Sequence, residues 1–545
     1  MIGMHSRFSR RSFLGAVAGA SGAVCLGRAL AGAALAGGGT ARRYHVSLNA
    51  REIERDPRLI SVVRNAGVTD VWLAGFLYGD WFSTPEELAA MARRLEREGL
   101  VPHAINVPLG HPGDALGARD GNVPVTPPGS WRMAERPDGS RYSGTSVHPP
   151  AVEENAEAAR AIAEAGFTEI FLDDDYRVAM SPSVIGGCFC AECRQAFLAL
   201  HGWGETQWQA LLGAVAERRL TTELEAWVEY WCDQLTGMLR TLEAAAPECA
   251  IGPMVMYMGA EKAGLRLRDY RFGLFRVGEL MFSDAAFASV RSKTNELFSS
   301  LFHRRYARPE LAYSETTAYP HDALSGANLA AKLNVSLLSD VRNTMYMSGL
   351  TPFPIDRWEV LGPAMAANAK IHERIAGHRP RGPMKHYWGK HGRYVGEDEP
   401  YSLWLALGVP FEVCDSMPLD GWVFLGDADA AGLRGSRLRG RATPIARSQG
   451  LCGEPPWQAV AEHLSDLFAW RRGILPSLGA TPYVQEEVPV VLGWYPTVPA
   501  VVAWNLAEQP QRVTIMSEGR MVARLHLPAL DSAIAEGGAV PRNPS

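Results

Sequence analysis

Residues 71–107 read VWLAGFLYGDWFSTPEELAAMARRLEREGLVPHAINV. An apolar run from Val71 to Phe76 gives way to a helical pattern from Pro85 to Glu98, and a second apolar run follows from His103 to Val107. Proline near the start of the helical stretch, glutamates in its first turn and arginines toward its end all suit the helix dipole. Strand, helix and strand in this order form the unit from which parallel sheets are assembled.

The same rhythm extends in both directions. His45–Asn49 is a candidate strand before it, and a helical pattern at Glu153–Ala165 leads into another at Glu169–Leu172. Further candidates are Ala250–Met256, Leu280–Ser283, Leu311–Ser314 and Thr344–Met347. Eight strands separated by helices predict a (β/α)8 TIM barrel with loop insertions over residues 44–378, although a doubly wound sheet alternates in a similar way. Residues 382–476 start again as a flavodoxin-like α/β domain, with a helix at Leu403–Leu407 and strands at Phe411–Cys414 and Trp422–Asp427. No Gly-rich phosphate loop accompanies them, so packing or assembly is the expected role. Short alternating runs at Val488–Gly493, Val501–Asn505, Val513–Ile515 and Met521–Leu525 predict a small β-sandwich over 482–530, followed by a disordered tail over 534–545.

A net charge of -5 over 545 residues leaves no basic field for a polyanion, which argues against nucleic acid as a partner. Residues 1–40 read as a twin-arginine export signal: Ser9-Arg10-Arg11-Ser12-Phe13-Leu14 precedes an Ala/Gly stretch from Gly15 to Ala36. Export to the periplasm or beyond is expected, with no stable membrane span in the mature chain.

Residues 169–197, EIFLDDDYRVAMSPSVIGGCFCAECRQAF, bring chemistry to a strand end. Asp173, Asp174 and Asp175 follow the apolar run, and a barrel presents its catalytic groups at the carboxyl ends of its strands. Asp284, after the expected sixth strand, and Glu315, after the seventh, complete the acids placed in this way. The aspartate cluster has three readings: one carboxyl held protonated by its neighbours for acid catalysis, a calcium site, or a solvated turn. Cys188, Cys190 and Cys193 are spaced for a tetrahedral structural zinc ion rather than a disulfide framework, and His148 is a candidate fourth ligand. No organic cofactor is expected. Trp72, Trp81, Phe82, Trp131, Tyr257, Tyr319 and Trp358 fall in or near the expected strand ends, where aromatic faces can stack on sugar rings. Asn106, at the end of the third strand, is a further candidate for substrate contact.

Asp174-Asp175-Tyr176 followed by Cys188-Phe189-Cys190-Ala191-Glu192-Cys193 and Ala196-Phe197 resembles glycoside hydrolase family 42 β-galactosidases, in which Asn-Glu-Tyr precedes a cysteine cluster. Tyr313-Ser314-Glu315-Thr316-Thr317 is similar to that family's nucleophile strand, and the order of domains is similar as well. The resemblance implies a carbohydrate substrate, a homo-oligomer, Glu315 as nucleophile and Asp175 as general acid/base. Aspartates stand where the family has Asn-Glu, so Asp174 and Asp175 both remain candidates for the acid. Two other readings stay open: a barrel hydrolase using Asp174 with Asp284, and a carbohydrate-binding protein without catalysis.

Overall fold

Eight strands pair in parallel around the first unit: β1 (Arg43–Leu48), β2 (Asp70–Leu77), β3 (Val101–Val107), β4 (Glu169–Leu172), β5 (Ala250–Pro253), β6 (Phe275–Arg276), β7 (Ala312–Thr317) and β8 (Asn343–Met347). Their order is β5-β4-β3-β2-β1-β8-β7-β6, and the ring closes through a bridge between Met254, just past β5, and Arg276. This computed structural model describes residues 41–109, 127–145, 147–173, 176–179, 181, 183–271, 273–348, 351–436, 439–538 and 540–541.

Helices pack around the ring for reasons visible in their sequences. In Pro85–Arg97 the Thr84 side chain and Glu87 form a reciprocal cap, and Leu88, Met91 and Leu95 bury one face. Alternate strand residues point inward. Trp72, Ile105, Phe171, Leu274, Tyr313 and Met345 fill the middle of the barrel as a closed apolar layer. Below it, at the amino ends of the strands, lies a polar floor; above it, at the carboxyl ends, lies a second charged group.

The second unit is a parallel sheet of β9 (Met384–Tyr387), β10 (Phe411–Cys414), β11 (Trp422–Leu425), β12 (Thr443–Ala446) and β13 (Gln458–Ala459), in the order β10-β9-β11-β12-β13. That is the strand order of flavodoxin-like sheets. The third unit packs two antiparallel three-stranded sheets face to face. One contains β14 (Tyr483–Val484), β17 (Gln511–Ser517) and β18 (Arg520–Leu527), the other β15 (Val490–Tyr495), β16 (Ala500–Asn505) and β19 (Ser532–Glu536). Val484, Leu492, Val501, Ile515 and Leu527 form their shared core.

Three expectations are corrected. The sixth barrel strand is Phe275–Arg276 rather than Leu280–Ser283; the latter is a connecting segment with Leu280 exposed. Leu403–Ala406 forms a 3-10 turn in place of the expected helix. Part of the expected disordered tail is structured: Ile534 pairs with Val502 in the last strand, which runs to Glu536, and Val540 is buried, while residues 539 and 542–545 lie outside the described residues. Among the described residues, no helix is long and apolar enough to cross a membrane.

Candidate active site at the carboxyl end of the barrel

Side-chain alternation on β7 sends Tyr313, Glu315 and Thr317 to one side, and on β4 it sends Glu169, Phe171 and then Asp173 to the barrel interior. The Asp173 amide donates to the Asn106 carbonyl at 2.7 Å, so β4 stays tied to β3 just where its acid run begins. Arg276, the last residue of β6, completes the group. Its Nη2 ion-pairs with Asp173 and lies 3.7 Å from Glu315 Oε1. All three residues are buried, with Arg276 only 1% exposed. Thr317 Oγ1 donates to Glu315 Oε1 at 3.3 Å, and the Glu279 amide donates to Oε2 at 3.4 Å. A guanidinium between two carboxylates favours the charged form of both and compensates their burial.

The segment after Arg276 is shaped by Gly278. A Cβ there would lie 1.8 Å from the Tyr257 amide nitrogen, so only glycine lets the two backbones cross. Tyr257 itself adopts φ 37°, an uncommon conformation for a tyrosine, and Ser299 Oγ clasps both chains by donating to the carbonyls of Gly278 and Tyr257.

Asp174 and Asp175 lie outside the described residues. Asp284 is not at a strand end: it opens the short helix Asp284–Phe287, and its carboxylate accepts from the Ser325 amide and the Asn328 side chain, each at 2.8 Å. Burial opposes its charge, but these donors hold it below the usual carboxylate range. Among the expected aromatic contacts, Trp72 is instead part of the apolar layer, fully buried and donating to His45 Nδ1 at 3.1 Å. Trp358 is likewise core, on helix Ile355–Ile375 against Tyr346. Asn106 does not face the barrel mouth; it accepts from the Phe76 amide at 3.0 Å, where β2 bulges against β3. Tyr257 is buried, whereas Trp81 is half-buried beside Phe76 and Tyr319 is 45% exposed. Arg276 and Glu279 went unread in the sequence, since a two-residue strand carrying an arginine has no apolar signature.

Among the described residues, two groups could hold a metal ion. His148 Nε2 lies 3.1 Å from Cys193 Sγ and 3.8 Å from Cys190 Sγ, and the ligand atoms of His148, Cys188, Cys190 and Cys193 all lie within 4.8 Å of one another. Arg132 Nη2 and the Glu135 amide point at Cys190 and Cys188 sulfurs, at 3.3 and 3.5 Å, as donors to thiolates do. Hydrogen bonds from Cys193 and His148 push the Cys188 thiol well below the usual thiol range against its burial. Four converging S and N donors fit a closed tetrahedral site.

The other group, His45, Asp70 and His103, forms the polar floor and was not anticipated. Its donors are already committed: Trp72 donates to His45 Nδ1, Arg43 ion-pairs with Asp70, and His103 Nε2 lies 2.8 Å from Asp70 while its Nδ1 lies 3.2 Å from Glu169. Arginine supplies the positive charge a metal would bring, so the floor is a closed ionic network.

At the carboxyl edge of β9 and β11 a cavity of about 250 Å³ is lined by Trp388, Gly426, Arg447 and Arg218. Arg447 pairs with Asp427 and Glu462, and Arg218 donates to backbone carbonyls of Val395 and Gly396. Neither arginine is left for a phosphate.

No family model and no curated protein matches the sequence. The chain is similar in structure to the β-galactosidase of Rahnella sp. R3, with a TM-score of 0.60, 12% identity and coverage of 91% of this chain and 98% of that one. It is also similar to the β-galactosidase of the psychrophilic Marinomonas ef1, with a TM-score of 0.57, 10% identity and coverage of 91% and 100%. Over nine-tenths of its length this chain therefore has the multi-unit TIM-barrel fold of those two enzymes.

Proposed function

We propose that this chain is a glycoside hydrolase acting at the carboxyl end of its barrel. The observation that carries the reading is Arg276 clasping Asp173 and Glu315 at the mouth of a barrel shared with two β-galactosidases. Glu315 is the nucleophile, and the acid run that begins at Asp173 supplies the acid/base, Asp175 or Asp174. Glu315 attacks the anomeric carbon while the acid gives its proton to the departing oxygen. Water then attacks the glycosyl ester, giving a proton back to the same aspartate.

Retention of configuration follows from reading Glu315 as the nucleophile, for which the two catalytic carboxyls stand roughly 5 to 5.5 Å apart; a wider gap with room for water would give inversion. The pairing of Asp174 with Asp284 has less support, since Asp284 is engaged with Ser325 and Asn328. A binder without catalysis is favoured only by the aspartates in place of Asn-Glu.

Turnover of a panel of aryl glycosides by the wild type and by Glu315→Gln tests the reading. Loss of at least about three orders of magnitude in a variant with unchanged melting is expected for a nucleophile. Comparable turnover in the two proteins would remove Glu315 from that role. Proton NMR of the first-formed sugar should show the substrate's own anomer; the opposite anomer would replace retention with inversion.

The reading extends to a structural zinc ion at His148, Cys188, Cys190 and Cys193, to twin-arginine export of the chain and to a homo-oligomer. The converging sulfurs support the first and the Arg10-Arg11 motif the second. The last rests on the family resemblance.

A further inference from the structure

Behind Glu315 lies a buried charge that the hydrolytic step itself does not use. Glu279 faces two ways: its amide donates to Glu315 Oε2 at 3.4 Å, and its own Oε2 lies 2.9 Å from Lys332 Nζ. Lys332, on helix Gly326–Ser339, also lies 3.0 Å from Glu296 Oε2 and donates to the Met281 carbonyl at 3.0 Å. Glu296, from helix Val290–His303, accepts the Met281 amide at 2.6 Å. The side chains of Glu279, Glu296 and Lys332 are all 0% exposed.

Two carboxylates around one ammonium leave surplus negative charge in apolar surroundings, a costly state unless a proton cancels it. Burial pushes the Glu279 carboxyl well above the usual glutamate range, with Lys332 opposing and Glu296 and Glu315 reinforcing. Lys332 ties Glu279 and the Met281 carbonyl to Glu296 and fixes the segment that touches Glu315. Such a triad is weak as a source of net stability, because its desolvation offsets its attraction. What it does supply is a fixed position.

We propose that Lys332 is a positioning residue for the chemistry at Glu315, holding the Glu279–Met281 segment so that the Glu279 amide stays on the nucleophile's oxygen. The inference rests on the reading of Glu315 as nucleophile. Among the described residues, the titratable and charged groups facing Glu315 are Arg276 from β6, Asp173 from the end of β4 and Glu279; those around Lys332 are Glu279 and Glu296, with Lys293 on the Phe287 ring it shares. An amide donating to a carboxylate favours its ionised form, so loss of that contact makes Glu315 harder to ionise.

Lys332→Met alone leaves two buried carboxylates without a counter-charge and risks the fold. Lys332→Met combined with Glu296→Gln removes one charge of each sign at nearly constant volume, and this double variant is the test, assayed on an aryl glycoside the wild type cleaves. The expected result is a kcat about tenfold lower, a KM within about twofold, and an acid limb of kcat/KM raised by about half a pH unit. A cooperatively melting double variant with the wild-type acid limb overturns the proposal, whatever its kcat, because a purely structural lysine would not move that limb. Glu315→Gly with added azide separates the two failures. If no glycosyl azide forms, the nucleophile assignment falls and Lys332 with it; if azide rescues and the double variant keeps the wild-type limb, only the role of Lys332 falls.

Discussion

Arg276 carries its guanidinium into an interior that offers it two carboxylates, Asp173 and Glu315, and the sulfurs of Met345 and Met347. Its fork spans both acids at once, which a lysine ammonium on a flexible stem does not do. Arg276→Met would leave two buried carboxylates face to face, and one of them would have to take up a proton. We expect kcat/KM to fall at least about a hundredfold and its acid limb to move to higher pH, with Arg276→Lys intermediate. A pH–rate profile settles this, and an unmoved limb in Arg276→Met would show that the guanidinium does not act on Glu315. The sequence makes Glu315 legible, since an apolar run ending on one carboxylate inside a repeating β/α pattern marks a barrel strand end. Arg276 and Glu279 are illegible for the opposite reason: their strand is two residues long, and the apolar Leu280-Met281-Phe282 beside it draws attention away. Trp72 misleads differently. An aromatic residue on a barrel strand is as well suited to filling the interior as to stacking on a sugar, and only its position two residues below the strand's bulge assigns it to the core.

At the scale of elements, the amino ends of β1 to β4 form the ionic floor, and the loop around His148 clips onto the turn that carries the cysteines. Burial pushes His45 down to about 3, so it stays neutral in the fold. For Asp70 burial works the other way, yet the His45 and His103 rings and the Arg43 guanidinium hold it well below the usual carboxylate range. Both folded values lie below the unfolded ones. The unfolded chain therefore binds these protons first, and stability present at neutral pH is lost as pH falls, from about 6.5 downward for His45 and below about 4 for Asp70. His45 alone contributes a slope of up to about 1.4 kcal/mol per pH unit. His45→Gln, which still offers a donor to Asn343 and an acceptor to Trp72, should flatten the decline between about pH 6 and pH 4 in a series of urea midpoints. An unchanged slope would show that His45 titrates in the fold much as it does in the unfolded chain. For the clip, Cys190→Ser should lower bound zinc by about one equivalent and lower the melting temperature. Equal metal content in the two proteins would end the zinc reading. The cysteine spacing was enough to suggest this clip, whereas the floor was not foreseeable, because its members are each a single polar residue inside an apolar strand.

Taken as a whole, the three units share one core. Leu337 and Leu338 of the barrel, Trp388, Phe411 and Phe424 of the second sheet, and Val491, Tyr495 and Trp504 of the third unit belong to a single continuous apolar cluster. The boundaries between units are visible in the sequence as changes of rhythm. Their contacts are not, since they join residues more than a hundred positions apart: Arg305 with Asp415 at 2.5 Å, Glu261 with Arg393, and Lys262 with Asp398 at 2.7 Å. The last pair is the most buried of the three, with Lys262 0% and Asp398 8% exposed. It joins the loop after β5, on the face of the barrel where Glu315 and Arg276 lie, to the second sheet's first long connection. Asp398→Asn keeps the shape and leaves a buried ammonium without its counter-charge, a loss of about 3 to 5 kcal/mol for a broken buried pair. Because the core is continuous, that loss should lower the single calorimetric transition of the whole chain instead of splitting off one unit. Lys262→Met together with Asp398→Leu, which replaces both charges by apolar side chains, should recover most of the stability. Two resolved transitions in Asp398→Asn, with the barrel melting at its wild-type temperature, would show instead that the units fold independently and that the shared cluster does not couple them.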